Sequence, residues 1–423
     1  MAQAVLSGGQ NLSLMRKLYI SILSALMMVS CGSHHTDPSP TGGTQGGDTR
    51  PGSNFDFTYS MGVNLNEQAG QADLNDLADT KTKYVRSFVE MIDLYKNNTI
   101  DTDPNLNTFI TFHSKGYKTV LNLKFNFIAN AFPAVNSTDW NNYIAFIDKI
   151  LDKAMPYTDV LIVGNEPFIE ADPSTWNEPL NSFYKSACAR VYSYFQLHGI
   201  DKPIFLGSFD NMYQSSRTGN TGVLNLLSFV KNTAYLSGAD VHIHHNTDAE
   251  MTSALSFMDN HLRDDQKMIV SEFSAKNYFK AYNTNLIDPA FIAAANASTT
   301  DNIYPPPAGV TQNYQYIDYA LKNPRPVEEW YAFWHYSAYL ENNKNYLCTA
   351  NTDFKSYHKV FLACYALRQS YPVNTDFTAT TDPWVLNAMF LNRSVQQVNG
   401  RNARSYSFLD QFLKIQANQN PCQ

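Results

Sequence analysis

The chain has 423 residues, of which 44% are hydrophobic and 13% aromatic, and its formal net charge is −7. This length and hydrophobic content suffice for one large domain or two smaller ones. The net charge is negative and Lys and Arg do not cluster, which excludes nucleic acid as an expected partner.

The amino terminus has the pattern of an export signal. Arg16 and Lys17 precede a short apolar stretch that ends at Cys31. The stretch is too short for an ordinary transmembrane helix, and its basic start and apolar centre are typical of secretory signals. The segment MVSC before and including Cys31 resembles the lipobox of bacterial lipoproteins. That resemblance implies that residues 1–30 are a signal peptide and that Cys31 carries a lipid; the alternative is a plain secretory signal.

The segment after Cys31 is rich in Gly, Ser, Thr and Pro and has almost no apolar side chain. Such a composition cannot bury enough surface to fold. We therefore predict that residues 31–55 form a flexible tether between a lipid anchor and the folded part. The expected location is the cell envelope, on its periplasmic face or at the cell surface.

Four further cysteines follow, at positions 188, 348, 364 and 422. An exported compartment permits disulfides. Four cysteines allow three pairings, and the sequence does not choose among them.

From residue 56 onward, short apolar or β-branched runs alternate with amphipathic helical patterns. The runs predict eight strands, over 57–65, 83–89, 118–125, 159–165, 203–209, 240–245, 267–273 and 330–336. The clearest helical patterns cover 139–155, 175–199, 251–262, 313–323 and 357–369. This alternation implies a parallel sheet with right-handed crossovers. Eight units predict an α/β fold, a (β/α)8 TIM barrel over residues 56–372.

A doubly wound open sheet is the alternative fold. It would carry a glycine-rich turn after its first strand, but MGVNLNEQ contains no GxGxxG pattern. In the barrel interpretation, residues 274–329 are expected to form an extended loop over the mouth after strand seven. Residues 373–423 are expected to pack as a carboxyl-terminal extension against the outside of the barrel.

Two glutamates end predicted strands that lie three strand–helix units apart. Strand four ends in Asn165-Glu166, and strand seven ends in Ser271-Glu272. The carboxyl ends of barrel strands meet at the catalytic mouth. Two carboxylates there suit hydrolysis of a glycosidic bond, in which one protonates the leaving oxygen and the other attacks the anomeric carbon. Such a pair is expected to have unlike environments, so that one stays protonated and the other ionised.

The motifs VGNEP and VSEF, whose glutamates are 106 residues apart, resemble the retaining glycoside hydrolases of clan A. In that group the acid/base ends strand four after an asparagine, and the nucleophile ends strand seven. The resemblance covers residues 56–372 and implies that Glu166 is the acid/base and Glu272 the nucleophile. It also implies that Asn165 hydrogen-bonds the sugar 2-hydroxyl.

Further positions fit the same group. The resemblance implies an arginine on strand two near the nucleophile, which is Arg86, and a histidine on strand six, which His242 or His244 supplies. It also implies an indole under the sugar from strand eight, for which Trp334 is the candidate. The structural alternatives are an outward-facing arginine and a core tryptophan. Three residues that end strands one and three are additional candidates for sugar contacts, with ordinary loop chemistry an equally good account: Asn64, Asn122 and Lys124.

The sequence leaves other sites and functions open. Asp240, His242 and His244 share a strand face and could supply the three protein ligands of a zinc hydrolase. A surface glycan-binding lipoprotein with a non-catalytic glycosidase-like barrel is the second function, although both glutamates are present. Strand six lacks the tyrosine of many clan members, and no tryptophan precedes NEP. A Ser-His-Asp hydrolase is disfavoured because no GxSxG motif occurs.

The expected protein is thus a retaining glycoside hydrolase that cleaves β-linked glycans, endo-acting on a β-glucan or mannan, with exo-action open. Its expected partners are an oligo- or polysaccharide and, through the lipid, a membrane. We expect a monomer with no cofactor and no metal. Five aromatic residues in predicted loops are expected to line an extended groove: Phe168, Trp176, Tyr213, Tyr278 and Phe279.

Overall fold

The computed structural model describes residues 50–65, 69–299, 301–369 and 376–422. The predicted signal peptide, Cys31 and most of the predicted tether lie outside these residues. Within the described ranges, no helix combines the length and apolarity needed to cross a bilayer.

Eight parallel strands close into a barrel in sequence order. This arrangement confirms the predicted (β/α)8 fold. The strands are β1 (Ser60–Asn64), β2 (Tyr84–Glu90), β3 (Lys118–Lys124), β4 (Val160–Val163), β5 (Ile204–Asp210), β6 (Gly238–His244), β7 (Lys267–Ser274) and β8 (Val360–Ala366).

Helices surround the barrel and lie within the connections between its strands. Their ranges are α1 (Leu74–Asp79), α2 (Met91–Asn97), α3 (Pro104–Ser114), α4 (Thr138–Ala154), α5 (Leu180–His198), α6 (Ser215–Thr218), α7 (Thr221–Asn232), α8 (Asp248–His261), α9 (Lys276–Ala281), α10 (Pro289–Ala297), α11 (Asn313–Lys322), α12 (Val327–Tyr336), α13 (Ala338–Glu341), α14 (Tyr346–Ser356) and α15 (Phe408–Gln416). Two short strands, β9 (Phe390–Leu391) and β10 (Ala403–Arg404), pair outside the barrel.

Helix α4 illustrates how local sequence produces these elements. The Ser137 hydroxyl accepts a hydrogen bond from the backbone N–H of Trp140, which caps the first turn. The apolar residues then recur at helical spacing and are buried; they are Trp140, Tyr143, Phe146, Ile147, Ile150, Leu151 and Ala154.

The eighth strand differs from the prediction. Residues 330–336 belong to helix α12, and the true β8 lies inside the segment 357–369, which was predicted as a helix. Every residue of β8 is buried, so its sequence is a continuous apolar run that periodicity cannot assign to strand or helix. Helix α12 has Glu328 and Glu329 in its first turn, where carboxylates interact favourably with the helix dipole.

The segment between β7 and β8 is also more regular than predicted. Residues 274–329 contain helices α9, α10 and α11, where an extended loop was expected. The prediction relied on the proline-rich stretch 305–307, which accounts for only a short part of the segment.

The two ends of the described chain pack on the barrel. Residues 50–55, predicted as the end of the tether, are folded: the Gly52 N–H donates to Asp201 Oδ1 at 2.6 Å, and the Phe55 ring lies 6.1 Å from that of Phe361. At the other end, a disulfide joins Cys348 to Cys422. The other two cysteines left open by the sequence, Cys188 and Cys364, are buried and free.

The barrel interior contains a polar layer beneath the mouth and a separate apolar cluster. Arg86, Asn122, Ser208, Asp240 and Ser271 are buried polar residues of the barrel strands and form the layer beneath the mouth. Apolar side chains that reach across the barrel form a separate cluster, against which Phe55 and Phe57 pack: Tyr84, Val120, Val160, Ile162, Phe205, Ile269, Phe361, Leu362 and Cys364. The polar layer supports the site described next.

Candidate active site

A cavity of about 310 Å³ opens at the carboxyl ends of the barrel strands. Its wall is built from the ends of β2 to β7 and from one residue that follows β8. The lining residues are Phe88, Lys124, Asn165, Glu166, Ile169, Glu170, Asn211, His244, Glu272, Lys276 and Trp384. Two sequence-predicted glutamates and Asn165 are therefore brought together here.

A sharp turn after β4 presents Glu166 to the cavity. Gly164 has φ +108°, and a Cβ there would lie 2.0 Å from the carbonyl oxygen of Gly207, so only glycine fits. Glu166 itself has φ +41°, an uncommon conformation for a residue with a side chain. The Glu166 carbonyl accepts the backbone N–H groups of Ile169 and Glu170, both at 2.9 Å, which closes the turn.

Glu272 lies on β7 and is held by a buried cation. Arg86 Nη1 donates to Glu272 Oε1 at 2.5 Å, and neither side chain is much exposed. Three further Arg86 N–H groups bond the side-chain oxygens of Asn64, Asn122 and Asn165, at 2.9, 2.9 and 2.5 Å. A buried charge is tolerated when it is paired and its donors are satisfied. Asn64 and Asn122, predicted as candidates for sugar contacts, therefore accept hydrogen bonds from Arg86 in the layer beneath the cavity.

His242 connects the two glutamates. Its Nδ1 lies 3.0 Å from Glu166 Oε1, and its Nε2 lies 3.0 Å from Ser271 Oγ and 3.7 Å from Glu272 Oε1. The Ser271 hydroxyl donates to Asp240 Oδ2 at 2.6 Å, so its oxygen must accept from Nε2–H of His242. A neutral His242 then has a bare Nδ1 facing a carboxylate oxygen. One proton must lie between Nδ1 and Glu166 Oε1.

The charges around this proton set its position. Burial would raise the pKa of Glu166, but the hydrogen bond from His242 and the positive charge of that ring lower it to about 2. Burial would lower the pKa of His242, but the charge of Glu272 and the hydrogen bond with Glu166 raise it overall. These opposite shifts favour His242 as the holder of the proton.

Glu272 is ionised as well, because the charges of His242 and Arg86 outweigh burial and lower its pKa. The sequence led us to expect unlike environments for the two glutamates. Instead both are ionised, and the proton needed by the acid is stored on the neighbouring ring.

The second histidine of β6 has a different surrounding. His244 lines the cavity, its Nδ1 lies 2.8 Å from Ser274 Oγ, and its Nε2 lies 3.9 Å from Glu272 Oε2. Burial lowers the pKa of His244 to about 4, so the ring is neutral near pH 7.

The alternative zinc site does not assemble as predicted. The Asp240 carboxylate is engaged below His242 by Ser208, Ser271 and Asn122. Another trio could hold a metal, since ligand atoms of Glu166, His242 and His244 lie within 4.8 Å of one another. Two of those residues, Glu166 and His242, are the ones that share the proton.

The predicted aromatic contacts are corrected by the structure. Trp334 lies on α12, not on strand eight, and is 3% exposed among Phe279, Tyr406 and Phe408. Phe168, Trp176 and Phe279 are likewise buried in the core. The groove prediction placed all three in loops. Phe279 instead lies on α9, and Phe168 and Trp176 pack inward from the segment after β4.

Trp384 is the indole at the cavity. It comes from the segment after β8, its ring lies 4.9 Å from that of His244 at an interplanar angle of 87°, and Lys276 Nζ lies 4.8 Å from its centroid. Sequence reasoning missed Trp384, Glu170 and Lys276. Trp384 was assigned to an extension on the outside of the barrel, and the sequence carries no signal that returns this segment to the mouth.

The fold and the site define a (β/α)8 barrel whose carboxyl mouth holds two glutamates, a buried arginine and a histidine that lies between the glutamates. No family model and no curated protein matches the sequence. Solved structures with a similar fold include a family 39 glycoside hydrolase from Bacteroides cellulosilyticus WH2, at 11% identity and TM-score 0.48, covering 84% of this chain and 63% of that one. This chain thus spans less than two thirds of that protein.

Two further similar structures are glycosidases by their descriptions. A glucosidase from Croceicoccus marinus has 12% identity and TM-score 0.48, with 88% of this chain and 68% of that chain covered. A fungal β-1,4-galactanase has 14% identity and TM-score 0.44, with 84% and 93% covered. These structural neighbours are glycoside hydrolases, but likeness at this level does not carry function. Function is inferred from the geometry of the site.

Proposed function

We propose that this protein is a retaining glycoside hydrolase that cleaves β-linked glycans by double displacement. The observation that carries the proposal is the pairing of Glu166 and Glu272 across His242 in one cavity. Retaining enzymes use two carboxyl groups about 5–5.5 Å apart, one as acid/base and one as nucleophile.

In the first step, an oxygen of Glu272 forms a bond to the anomeric carbon. Arg86 keeps Glu272 ionised and orients it. The bond from the anomeric carbon to the leaving oxygen breaks, and its electron pair stays on that oxygen. The proton between Glu166 and His242 passes through Glu166 to the leaving oxygen, which leaves Glu166 ionised and His242 neutral.

In the second step, water attacks the anomeric carbon of the glycosyl-enzyme. Its proton passes to Glu166 and returns to the shared position beside His242, while the bond to Glu272 breaks. Two inversions at one carbon retain the configuration. Asn165 is positioned by Arg86 and has a second amide hydrogen for the sugar 2-hydroxyl, a contact that strengthens in the transition state.

We infer endo-action on a β-glucan or mannan, and the space beside Glu166 supports a substrate longer than one sugar. We place the leaving group on the side of β5 to β7, where the Glu166 carboxyl group faces His242. A second cavity of about 680 Å³ lies on that side, and its residues follow those of the first cavity on the same strand ends. It is lined by Tyr213, Gln214, Ser215, Asn246, Glu250, Asn277, Lys280 and Ala281, whose amides and hydroxyls suit sugar hydroxyls.

We also infer that the protein is an exported lipoprotein of the cell envelope, anchored through Cys31 and acting as a monomer. The lipobox-like sequence before Cys31 motivates this inference. The Cys348–Cys422 disulfide supports an oxidising compartment.

The proposal is tested with wild type, Glu166→Gln and Glu272→Gln on a panel of β-glucans, mannans, galactans and xylans, read by reducing ends and product length. We expect Glu272→Gln to lose activity on all substrates. Glu166→Gln should lower kcat/KM about 10²- to 10⁴-fold on polysaccharides but far less on a 2,4-dinitrophenyl glycoside, because kcat/KM reports the first step and this leaving group needs no proton.

Three outcomes would contradict the proposal. Undiminished hydrolysis in both variants would reject the site. A product of inverted anomeric configuration would reject double displacement. Glycan binding without hydrolysis of any substrate would favour the non-catalytic binding protein.

A further inference from the structure

The two histidines of β6 and Glu166 form a cluster of metal-ligating side chains at the mouth of the barrel. One ligand atom from each of Glu166, His242 and His244 lies within 4.8 Å of the other two. The histidines are two residues apart on one strand, so their side chains lie on the same face, with ring centroids 6.1 Å apart. Two imidazoles and one glutamate carboxylate are a known ligand set of zinc sites.

Each histidine is held by a serine through one ring nitrogen. His242 Nε2–H donates to Ser271 Oγ, which leaves Nδ1 facing Glu166 Oε1 at 3.0 Å. His244 Nδ1 lies 2.8 Å from Ser274 Oγ, which leaves Nε2 to bind an ion. Metal-binding histidines characteristically hydrogen-bond through their other nitrogen, which fixes the tautomer and the orientation of the ring. Both rings therefore have the support that metal ligands need.

The surroundings of the cluster suit a cation. Glu272 Oε2 lies 3.9 Å from His244 Nε2, so a second carboxylate borders the same space, while Arg86 binds the other Glu272 oxygen. Glu166, His244 and Glu272 all line the catalytic cavity, which gives an ion a path from solvent.

We propose that the mouth binds one Zn²⁺ ion through Glu166, His242 and His244, and that this ion inhibits the enzyme. Bonds from the ion to Glu166 and to His242 Nδ1 use the lone pairs that share the catalytic proton, so that proton leaves for solvent when zinc binds. Glu166 then can neither protonate a leaving oxygen nor take a proton from water. The inhibition rests on the proposed glycosidase activity, whereas the binding does not.

Isothermal titration calorimetry with zinc chloride tests the site on the full chain, after removal of metals with EDTA and dialysis. The variants are Glu166→Gln and His244→Gln, and Mg²⁺ is the comparison ion because it prefers oxygen ligands. His113→Gln is the matched control. His113 is exposed on α3 and its Nδ1 lies 4.0 Å from Asp159 Oδ2, so it is a histidine beside a carboxylate at the other end of the barrel.

We expect wild type and His113→Gln to bind one zinc ion per chain with equal affinity, and Mg²⁺ not to compete for the site. Glu166→Gln and His244→Gln should each weaken zinc binding about tenfold or more, since even changes behind metal ligands cost that much. Zinc should abolish hydrolysis by wild type and by His113→Gln at the concentration that fills the site. EDTA should restore it in both.

Zinc binding of equal strength in wild type and in the two site variants would overturn the inference, as would a wild type without a saturable zinc site. Hydrolysis that persists or rises while the site is filled would overturn the inhibition. If His244→Gln does not fold, Glu166→Gln decides, because the Glu166 side chain is 20% exposed in the cavity. Wild type that binds zinc at this site but cleaves no glycan would refute the proposed function and the inhibition, and would leave the metal site standing.

Discussion

His242 is the residue whose surroundings decide how the two glutamates can act. Its Nε2–H is committed to Ser271, which is committed to Asp240. Its Nδ1 then shares one proton with Glu166. Glu166 can act as an acid only while that proton is present, so the pair, and not the glutamate alone, sets the pH range of activity.

Replacing His242 should therefore shift the pH profile. In the wild type the proton is lost with the His242 pKa, which is raised above its ordinary value of 6.5, so the alkaline limb lies above that pH. In His242→Gln, Glu166 must hold the proton itself. We expect the alkaline limb of kcat/KM to move to lower pH by about one unit or more. The measurement is kcat/KM from pH 4 to pH 9.

His244→Gln is the matched control on the same strand. Burial lowers the pKa of His244 to about 4, so this ring is already neutral where the alkaline limb falls. Its replacement should leave that limb in place, whatever it does to the maximal rate. An alkaline limb that stays fixed in His242→Gln, or that moves equally in both variants, would show that His242 does not hold the proton.

At the scale of elements, the sequence was sufficient for the strands that carry the two glutamates. β4 and β7 are apolar runs followed by a polar motif. The change from apolar to polar residues marks in the sequence where each strand ends at the barrel mouth. The eighth strand was not predictable in this way. VFLACYA is buried on both faces, and the aromatic α12 has a composition that suits a strand equally well.

The wrong position of the predicted eighth strand also changed which aromatic residue was predicted for the site. The sequence predicts strand eight over residues 330–336, which makes Trp334 the expected indole and places Trp384 outside the barrel. Glu170 and Lys276 were missed for another reason. Charged residues after a strand are ordinary in loops, and only the folded turn shows that Glu170 is buried beside Asn165.

The carboxyl-terminal helix is a separate element whose attachment can be tested. α15 packs Phe408, Leu409 and Phe412 into the core, and the disulfide joins the chain beyond it to Cys348 on α14. The bond joins residues 74 positions apart, and disulfides typically stabilise by about 2–4 kcal/mol.

Cys422→Ser should lose stability of that size, measured as a lower urea midpoint at pH 7 without reductant. Wild type with dithiothreitol should unfold at the midpoint of the variant, and the variant should not respond to dithiothreitol. Equal midpoints for oxidised wild type and the variant would mean that the helix is held by its packing alone.

On the scale of the whole molecule, stability and proposed chemistry occupy different layers of one barrel. The apolar cluster with Phe55 and Phe57 fills one part of the interior, while the buried polar layer of Arg86, Asn122 and Asp240 supports the mouth. Barrels commonly separate a packed core from a catalytic face. Changes at the mouth can therefore alter substrate choice without unfolding the protein.

The second cavity allows a test of where a polysaccharide substrate lies across the mouth of the barrel. Ser215 is exposed and lines the cavity on the proposed leaving-group side. A tryptophan at this position would fill the space where sugars beyond the cleaved bond are expected. Ser215→Trp should lower the rate of polysaccharide cleavage about tenfold or more. Its products should change from oligosaccharides of mixed length to short oligosaccharides released from the chain ends. Release of 4-nitrophenol, a small leaving group, should stay near the wild-type rate.

Ser53→Trp is the matched control, because Ser53 is also exposed and lines a cavity with Gly199 and Asp201, which precede β5 at the opposite end of the barrel. This variant should behave like wild type on both kinds of substrate. If Ser215→Trp also keeps the wild-type product pattern on polysaccharides, the second cavity does not hold the leaving sugars. Exo-action on short β-glucosides or β-galactosides would then be favoured, with Glu166 and Glu272 still in their proposed roles.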